Sequence, residues 1–224
     1  MALIVRYATE ADVKALTRIN VVCFQQYGML RAMFPQSDVP TLMEFKVLNA
    51  MKHLANPQMN VLTVDDPVTK EAVSYTRWLI PKSLGFTPST PDLSERGLAL
   101  AEAAKNPLQH APQPVNESVY NGFRKMLEEA RGRHTTDRDM ILDLLATLPS
   151  HQGRGIGSAL LRWGTEKADA WQARIFLEAT PEGIPVYLKH GWKIVEEVTL
   201  DLDAHGASGR ETFTLMMRDP VPAK

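Results

Sequence analysis

The sequence predicts a mixed α/β fold in which helices flank one sheet. Three observations lead there. Strand-like and helix-like segments alternate along the chain. Strand pairs that read as hairpins sit near both ends. Between them an apolar strand turns through glycines straight into an amphipathic helix. With 224 residues, one large domain with a full hydrophobic core is expected, so residues 1–224 are read as a single unit.

Leu3-Ile4-Val5-Arg6-Tyr7-Ala8 reads as the first strand. Thr9 follows with Asp12 three residues on, close to a capping box, and opens a helix. Ala11, Leu16, Ile19, Val22 and Phe24 give the first helices a rough apolar face, and a further helix spans about Pro40 to Leu54. Asn60–Asp65 and Ala72–Ile80, joined at Asp66-Pro67, pair as an antiparallel hairpin. From Pro81 to about 116 the chain is proline-rich and has little periodicity beyond Leu98–Ala104, so an insertion or long loop is expected there. Helical spacing resumes from Glu117 to Arg133. Met140–Thr147 is a buried strand, Ser158–Trp163 covers one helix face, and Arg174–Ala179 is the next strand. Lys193–Leu200 and Glu211–Met217 are two closing strands.

Charge and cysteine content narrow the function. Lys plus Arg total 25 against 26 for Asp plus Glu. That balance removes the long-range field of a dedicated nucleic-acid binder. Cys23 is the single cysteine and suits a reducing compartment. Asn116-Glu117-Ser118 matches a glycosylation acceptor, but no secretory segment precedes it and chance is the better reading. The apolar start is too short for a signal segment, and no window approaches a membrane span. The expectation is a cytoplasmic protein without nucleic-acid or membrane partners, monomeric or homodimeric.

The run Gln152-Gly153-Arg154-Gly155-Ile156-Gly157 carries the chemistry. A strand that turns through glycines into a helix N-terminus gathers free backbone N–H groups, backed by the positive end of the helix dipole. These suit an anion such as a pyrophosphate. Glycine avoids a Cβ against the phosphate and permits φ > 0. The P-loop fails because Gly157 is followed by Ser158 with no lysine. The dinucleotide fingerprint fails because Ser158 or Leu160 stands at its last glycine position.

The remaining pattern, Q/R-x-x-G-x-G/A, is satisfied by Gln152, Gly155 and Gly157. It resembles the acyl-coenzyme A pyrophosphate loop of the GCN5-related N-acetyltransferase (GNAT) family. Pro149 stands three residues before Gln152, as is usual there. Tyr187, Lys189 and Gly191, with Trp192 in place of phenylalanine, resemble the family's Y-x-K-x-G-F signature. The resemblance is dense from Met140 to about Val195. It implies a twisted, largely antiparallel sheet of about six to seven strands whose two central parallel strands splay apart. The implied activity is direct acetyl transfer from acetyl-coenzyme A to a primary amine. A small-molecule amine is preferred over a protein lysine. The alternatives are a non-catalytic acyl-coenzyme A-binding or regulatory module, and a protein lysine or O-acyltransferase.

The resemblance also implies site residues. Main-chain groups of Leu145, Ala146 and Thr147 would pair with the pantetheine arm, and one of their N–H groups would face the thioester oxygen. Gln152 and the amides of Gly153, Arg154, Gly155, Ile156, Gly157 and Ser158 would hold the pyrophosphate, with added charge from the Arg154 side chain. Lys189 would approach the adenosine phosphate, unless it is simply a solvated surface lysine. Tyr187 stands where the family places the acid for the coenzyme A thiolate; the alternative is a packing residue that only orients the sulfur. Thr180 occupies the family's usual asparagine position.

A general base is sought among the acids of the central strands. Asp143 lies in an otherwise apolar strand, where burial would raise its pKa, and alternation puts it on the face of Ile141, Leu145 and Thr147. It could instead pair with a neighbouring arginine. Glu178 is a second candidate. Cys23 has no histidine tied to it by spacing, and the histidines lack metal-ligand spacing, so no metal is expected. The 81–116 segment and the helix after it are expected to cover the acceptor cleft, or else to form a peripheral lid or oligomer contact.

Overall fold

The computed structural model describes residues 3–25, 28–87 and 91–222. In chain order it contains β1 (Val5–Tyr7), α1 (Val13–Phe24), α2 (Gly28–Met33), α3 (Val39–Ala55), β2 (Met59–Asp65) and β3 (Ala72–Leu79). There follow α4 (Glu95–Ala103), α5 (Glu117–His134), β4 (Met140–Thr147), α6 (Ile156–Trp171), β5 (Ile175–Ala179), α7 (Ile184–Lys189), β6 (Lys193–Asp201) and β7 (Arg210–Arg218). The seven strands form one sheet in the order β1-β2-β3-β4-β5-β7-β6. Every neighbouring pair is antiparallel except β4 with β5.

That parallel pair is short. Its register holds only Met140 opposite Ile175 and Ile141 opposite Phe176, although β4 continues to Thr147. Beyond Ile141 the two strands separate. On its other edge β4 stays paired to β3 as far as Thr147, so the splay opens on the β5 side alone.

Local chemistry explains the ends of the elements. Thr9 and Asp12 form the expected capping box, with the Thr9 amide donating to Asp12 at 2.8 Å. Asp12 and Asp65 both accept from Arg6, which ties β1 to β2 and to the helix start. Asn116 caps α5, accepting from the Val119 amide at 3.1 Å and donating to the His205 carbonyl at 3.0 Å. On α6 a Cβ at Gly164 would lie 2.4 Å from Trp78, a side chain with no exposed surface. Glycine there lets the helix lie directly on β3.

The 81–116 segment holds no strand among its described residues, but it is more ordered than a loop. Ser94 caps the nine-residue helix α4, accepting from the Gly97 amide, and the Ser94 hydroxyl itself donates to Glu10 at 2.7 Å. Short 3-10 turns flank α4 at Lys82–Leu84 and Pro107–His110. The periodic stretch Leu98–Ala104 is the body of this helix, and Gly97 and the prolines hid its start. No described helix is long and apolar enough to cross a membrane.

Candidate functional site

The glycine-rich run forms the bend between β4 and α6. A short 3-10 turn, Pro149–His151, ends the strand, and His151 is held by Asp66 of the β2–β3 loop at 3.0 Å. Amides of Thr69 and Val68, together with His151, draw the Asp66 carboxyl down to about 2, so it stays ionised. Gly153 and Gly155 have φ of 74° and 76°, the left-handed region that favours glycine, and a Cβ at either would meet open space. The requirement is therefore conformational within the protein, and the space beside both glycines is free for a ligand. Gly157 has ordinary helical backbone; a Cβ there would only touch Leu145 and Thr147.

Amides in this bend are left without a backbone acceptor among the described residues. Ala159 is the first to donate back into the helix, to the Gly155 carbonyl at 3.0 Å, which leaves the preceding amides to other acceptors. Two side chains serve the loop itself: Gln152 donates to the Thr147 carbonyl at 3.0 Å and Arg154 to the Ser150 carbonyl at 2.9 Å. The Ser158 hydroxyl lies 2.9 Å from His190 Nε2, tying the first turn of α6 to the end of α7. Tyr187 lies on α7 three residues before His190, its carbonyl accepting from the His190 amide at 3.0 Å. Its residue is 8 % exposed, with the ring 5.9 Å from that of Trp192. Burial pushes the phenol well above its usual range, so it keeps its proton. Lys189 is exposed. Cys23 donates to the Thr147 carbonyl, and burial pushes its thiol up to about 11, which keeps it un-ionised.

Asp143 departs from expectation in two ways. First, the β3–β4 ladder slips: Arg77 pairs with Leu144, but Trp78 pairs with Leu142. One extra β4 residue there reverses the alternation. Asp143 still faces the same side as Ile141, toward α3 and α5, whereas Leu145 and Thr147 lie against Gly157 of α6 on the opposite side. Second, burial does raise its pKa, but Arg77 at 2.7 Å and Arg131 at 3.1 Å outweigh that and hold the carboxyl well below the usual range. A carboxylate pinned by two guanidiniums is a poor proton acceptor. Arg131 also reaches Glu178 on β5 at 2.7 Å; burial still pushes the Glu178 carboxyl upward against that pull.

Behind Asp143 lies a cavity of about 460 Å³, walled by α1, α3, β2, β3 and α5. Its charged lining includes Lys46, Arg77 and Arg131, and it holds His53. Burial, with Arg77, pushes His53 down to about 3, so the imidazole is neutral. Sequence reasoning passed over these four residues. Arg77 alone left a signal, as a charge inside the apolar strand β3. Tyr187 is not among the lining residues. Phe123, Leu127 and Arg131 of α5 line this cavity.

Comparison with known proteins agrees with this architecture. Residues 119–194 match the family model described as an acetyltransferase (GNAT) domain. A crystal structure of histone acetyltransferase HPA2 and related acetyltransferase from Corynebacterium glutamicum aligns with a TM-score of 0.58 at 18% identity, over 100% of this chain and 99% of that one. A mosquito arylalkylamine N-acetyltransferase-like protein aligns at 0.56 and 13% identity, over 97% of this chain and 100% of the other. The PaiA N-acetyltransferase from Thermoplasma acidophilum, solved in complex with coenzyme A, aligns at 0.51 and 11% identity, over 98% and 99%. Comparison with curated sequences gave no match. On these grounds the chain has the GNAT fold, and its segment from α5 to the start of β6 carries that family's acetyltransferase domain signature.

Proposed function

We propose that this protein is an acetyl-coenzyme A-dependent N-acetyltransferase that acetylates a primary amine on a small molecule by direct transfer. One observation carries the reading: β4 leaves β5 after Ile141, and its freed edge runs from the cavity at Asp143 to the glycine bend at Gln152. A long thin ligand with an anionic middle matches that path. The open left-handed glycines and free amides fit its diphosphate, and an unpaired strand edge fits its amide-bearing arm.

On this reading the amides from Gly153 to Ser158 hold the diphosphate, with Lys189 near the adenosine end. Main-chain groups of Leu145, Ala146 and Thr147 pair with the pantetheine arm, and an N–H among them polarises the thioester oxygen. When bound, the thioester supplies an activated acetyl group. The overall change makes one C–N bond and breaks one C–S bond, while the amine gives up a proton and the sulfur takes one. Tyr187 Oη holds the proton for the sulfur, since burial keeps the phenol protonated. Asp143 acts on Arg77 and Arg131 and does not take the amine's proton. The cavity volume of about 460 Å³ suits a small acceptor.

Release of free thiol from acetyl-coenzyme A decides the matter, measured with polyamines, arylamines, amino acids and a lysine peptide. Release with a small amine supports the proposal. Coenzyme A binding without release in any case would point to a non-catalytic module. Release with the peptide alone would point to a protein lysine acetyltransferase.

A further inference from the structure

The cavity behind β4 holds more positive charge than its own acids balance. Arg77 is partnered by Asp143, and Arg131 by Asp143 and Glu178. Two guanidiniums thus meet two carboxylates. Lys46 of α3 lines the same space, and among the described residues no carboxylate forms an ion pair with it. Burial, helped by the Arg77 cation, pushes its ammonium down to about 8, so at neutral pH it is still charged but ill at ease. The Nε–H of Arg77 is buried with no hydrogen-bond partner among the described residues.

The rest of the lining does not supply the missing anion. His53 is neutral, and the Tyr75 hydroxyl already accepts from Asn20 at 3.2 Å. Exposed Lys52 and Arg124 add further positive charge, against exposed Glu128. A half-buried cation without a partner is poorly solvated and is relieved by an anion that reaches it. Leu16, Ala50, Val61 and Leu127 supply apolar wall around these groups.

Building on the transferase reading above, we propose that the acceptor is a primary amine that also bears a carboxylate, the chemistry of a free amino acid, with the carboxylate held by Lys46 and the Arg77 Nε–H. The geometry rejects the opposite chemistry: a polyamine would bring cations into a cationic chamber. The same field lowers the pKa of the acceptor's own amine and favours its neutral, nucleophilic form. This eases the need for a strong base, which Asp143 cannot provide.

Matched pairs of acceptors test this directly: L-phenylalanine against phenethylamine, and L-leucine against 3-methylbutylamine. Thiol release should favour the amino acids by about tenfold to a hundredfold in kcat/KM, the contribution of one charge-assisted hydrogen bond. Lys46→Met should erase that preference, mainly through KM and only for the amino acids, with coenzyme A affinity unchanged; Lys46→Arg should restore part of it. Equal or better use of the decarboxylated amines, or an equal loss for both classes in Lys46→Met, overturns the proposal while leaving the transferase reading intact. If no amine releases thiol, calorimetry of the same compounds into the coenzyme A-loaded protein decides. Amino acid binding that is lost in Lys46→Met supports the carboxylate site, and no binding sinks it.

Discussion

Arg131 donates from Nε to Glu178 at 2.7 Å, and its Nη2 reaches Asp143 at 3.1 Å. One guanidinium from α5 thus links β4 and β5 at the place where those strands part. Both carboxylates are largely buried, Glu178 with its side chain 6 % exposed. Removing the cation leaves Glu178 without a countercharge, beside an Asp143 that keeps only Arg77. Arg131→Met should therefore cost about 3–5 kcal/mol, the usual penalty for breaking a buried pair from one side. Urea denaturation measures it, and a loss below about 1 kcal/mol would show the link to be no more than a surface ion pair.

Trp78 and Gly164 give a prediction about packing alone. A methyl group at Gly164 would sit 2.4 Å from the indole, so Gly164→Ala should destabilise by about 1–3 kcal/mol through overpacking. Gly132 in α5 is the matched control, because a Cβ there meets nothing within 4 Å. Gly132→Ala should stabilise by about 0.5–1 kcal/mol from helix propensity. Thermal denaturation of both variants should show shifts of opposite sign.

His53 makes stability depend on pH. Its ordinary value of 6.5 falls to about 3 in the folded chain. Between those values the unfolded chain binds a proton that the folded chain refuses. Stability present above about pH 6.5 is thus lost as pH falls toward 3, at no more than roughly 1.4 kcal/mol per pH unit. His53→Gln should flatten the fall in urea midpoint between about pH 6.5 and pH 4.5. Superimposable profiles for the two proteins would contradict the assignment.

Tyr187→Phe keeps the ring against Trp192 and removes only the proton held at Oη. Turnover should drop by about a hundredfold to a thousandfold, with coenzyme A affinity and stability nearly unchanged. An unaltered kcat would reduce Tyr187 to a packing residue.

How legible these features were depends on how local their causes are. Met140–Thr147 stood out as β4 because a short apolar run and a glycine bend are both written in neighbouring residues. The positive φ of Gly153 and Gly155 followed from the same few positions. The extra residue in β4 was not legible, since it depends on how Arg77 and Trp78 register against a strand more than sixty positions away. It was enough to place Leu145 and Thr147 on the face opposite Asp143. Lys46 and His53 were silent for a related reason. On α3 they read as polar positions of an amphipathic helix, and only folding brings them beside Arg77. The start of helix α4 was hidden by Gly97 and the nearby prolines, although Ser94 provides an ordinary N-cap.

Coenzyme A should lie along the freed edge of β4 with its diphosphate in the glycine bend. Titration of coenzyme A into isotope-labelled protein, followed through backbone amide resonances, tests this most directly. The largest shifts should fall on Gly153 to Ser158 and on Leu145 to Thr147, and Gly155→Val, which forces a branched residue to φ near 76°, should abolish them. Binding that leaves those amides unmoved, or no binding at all, would contradict it.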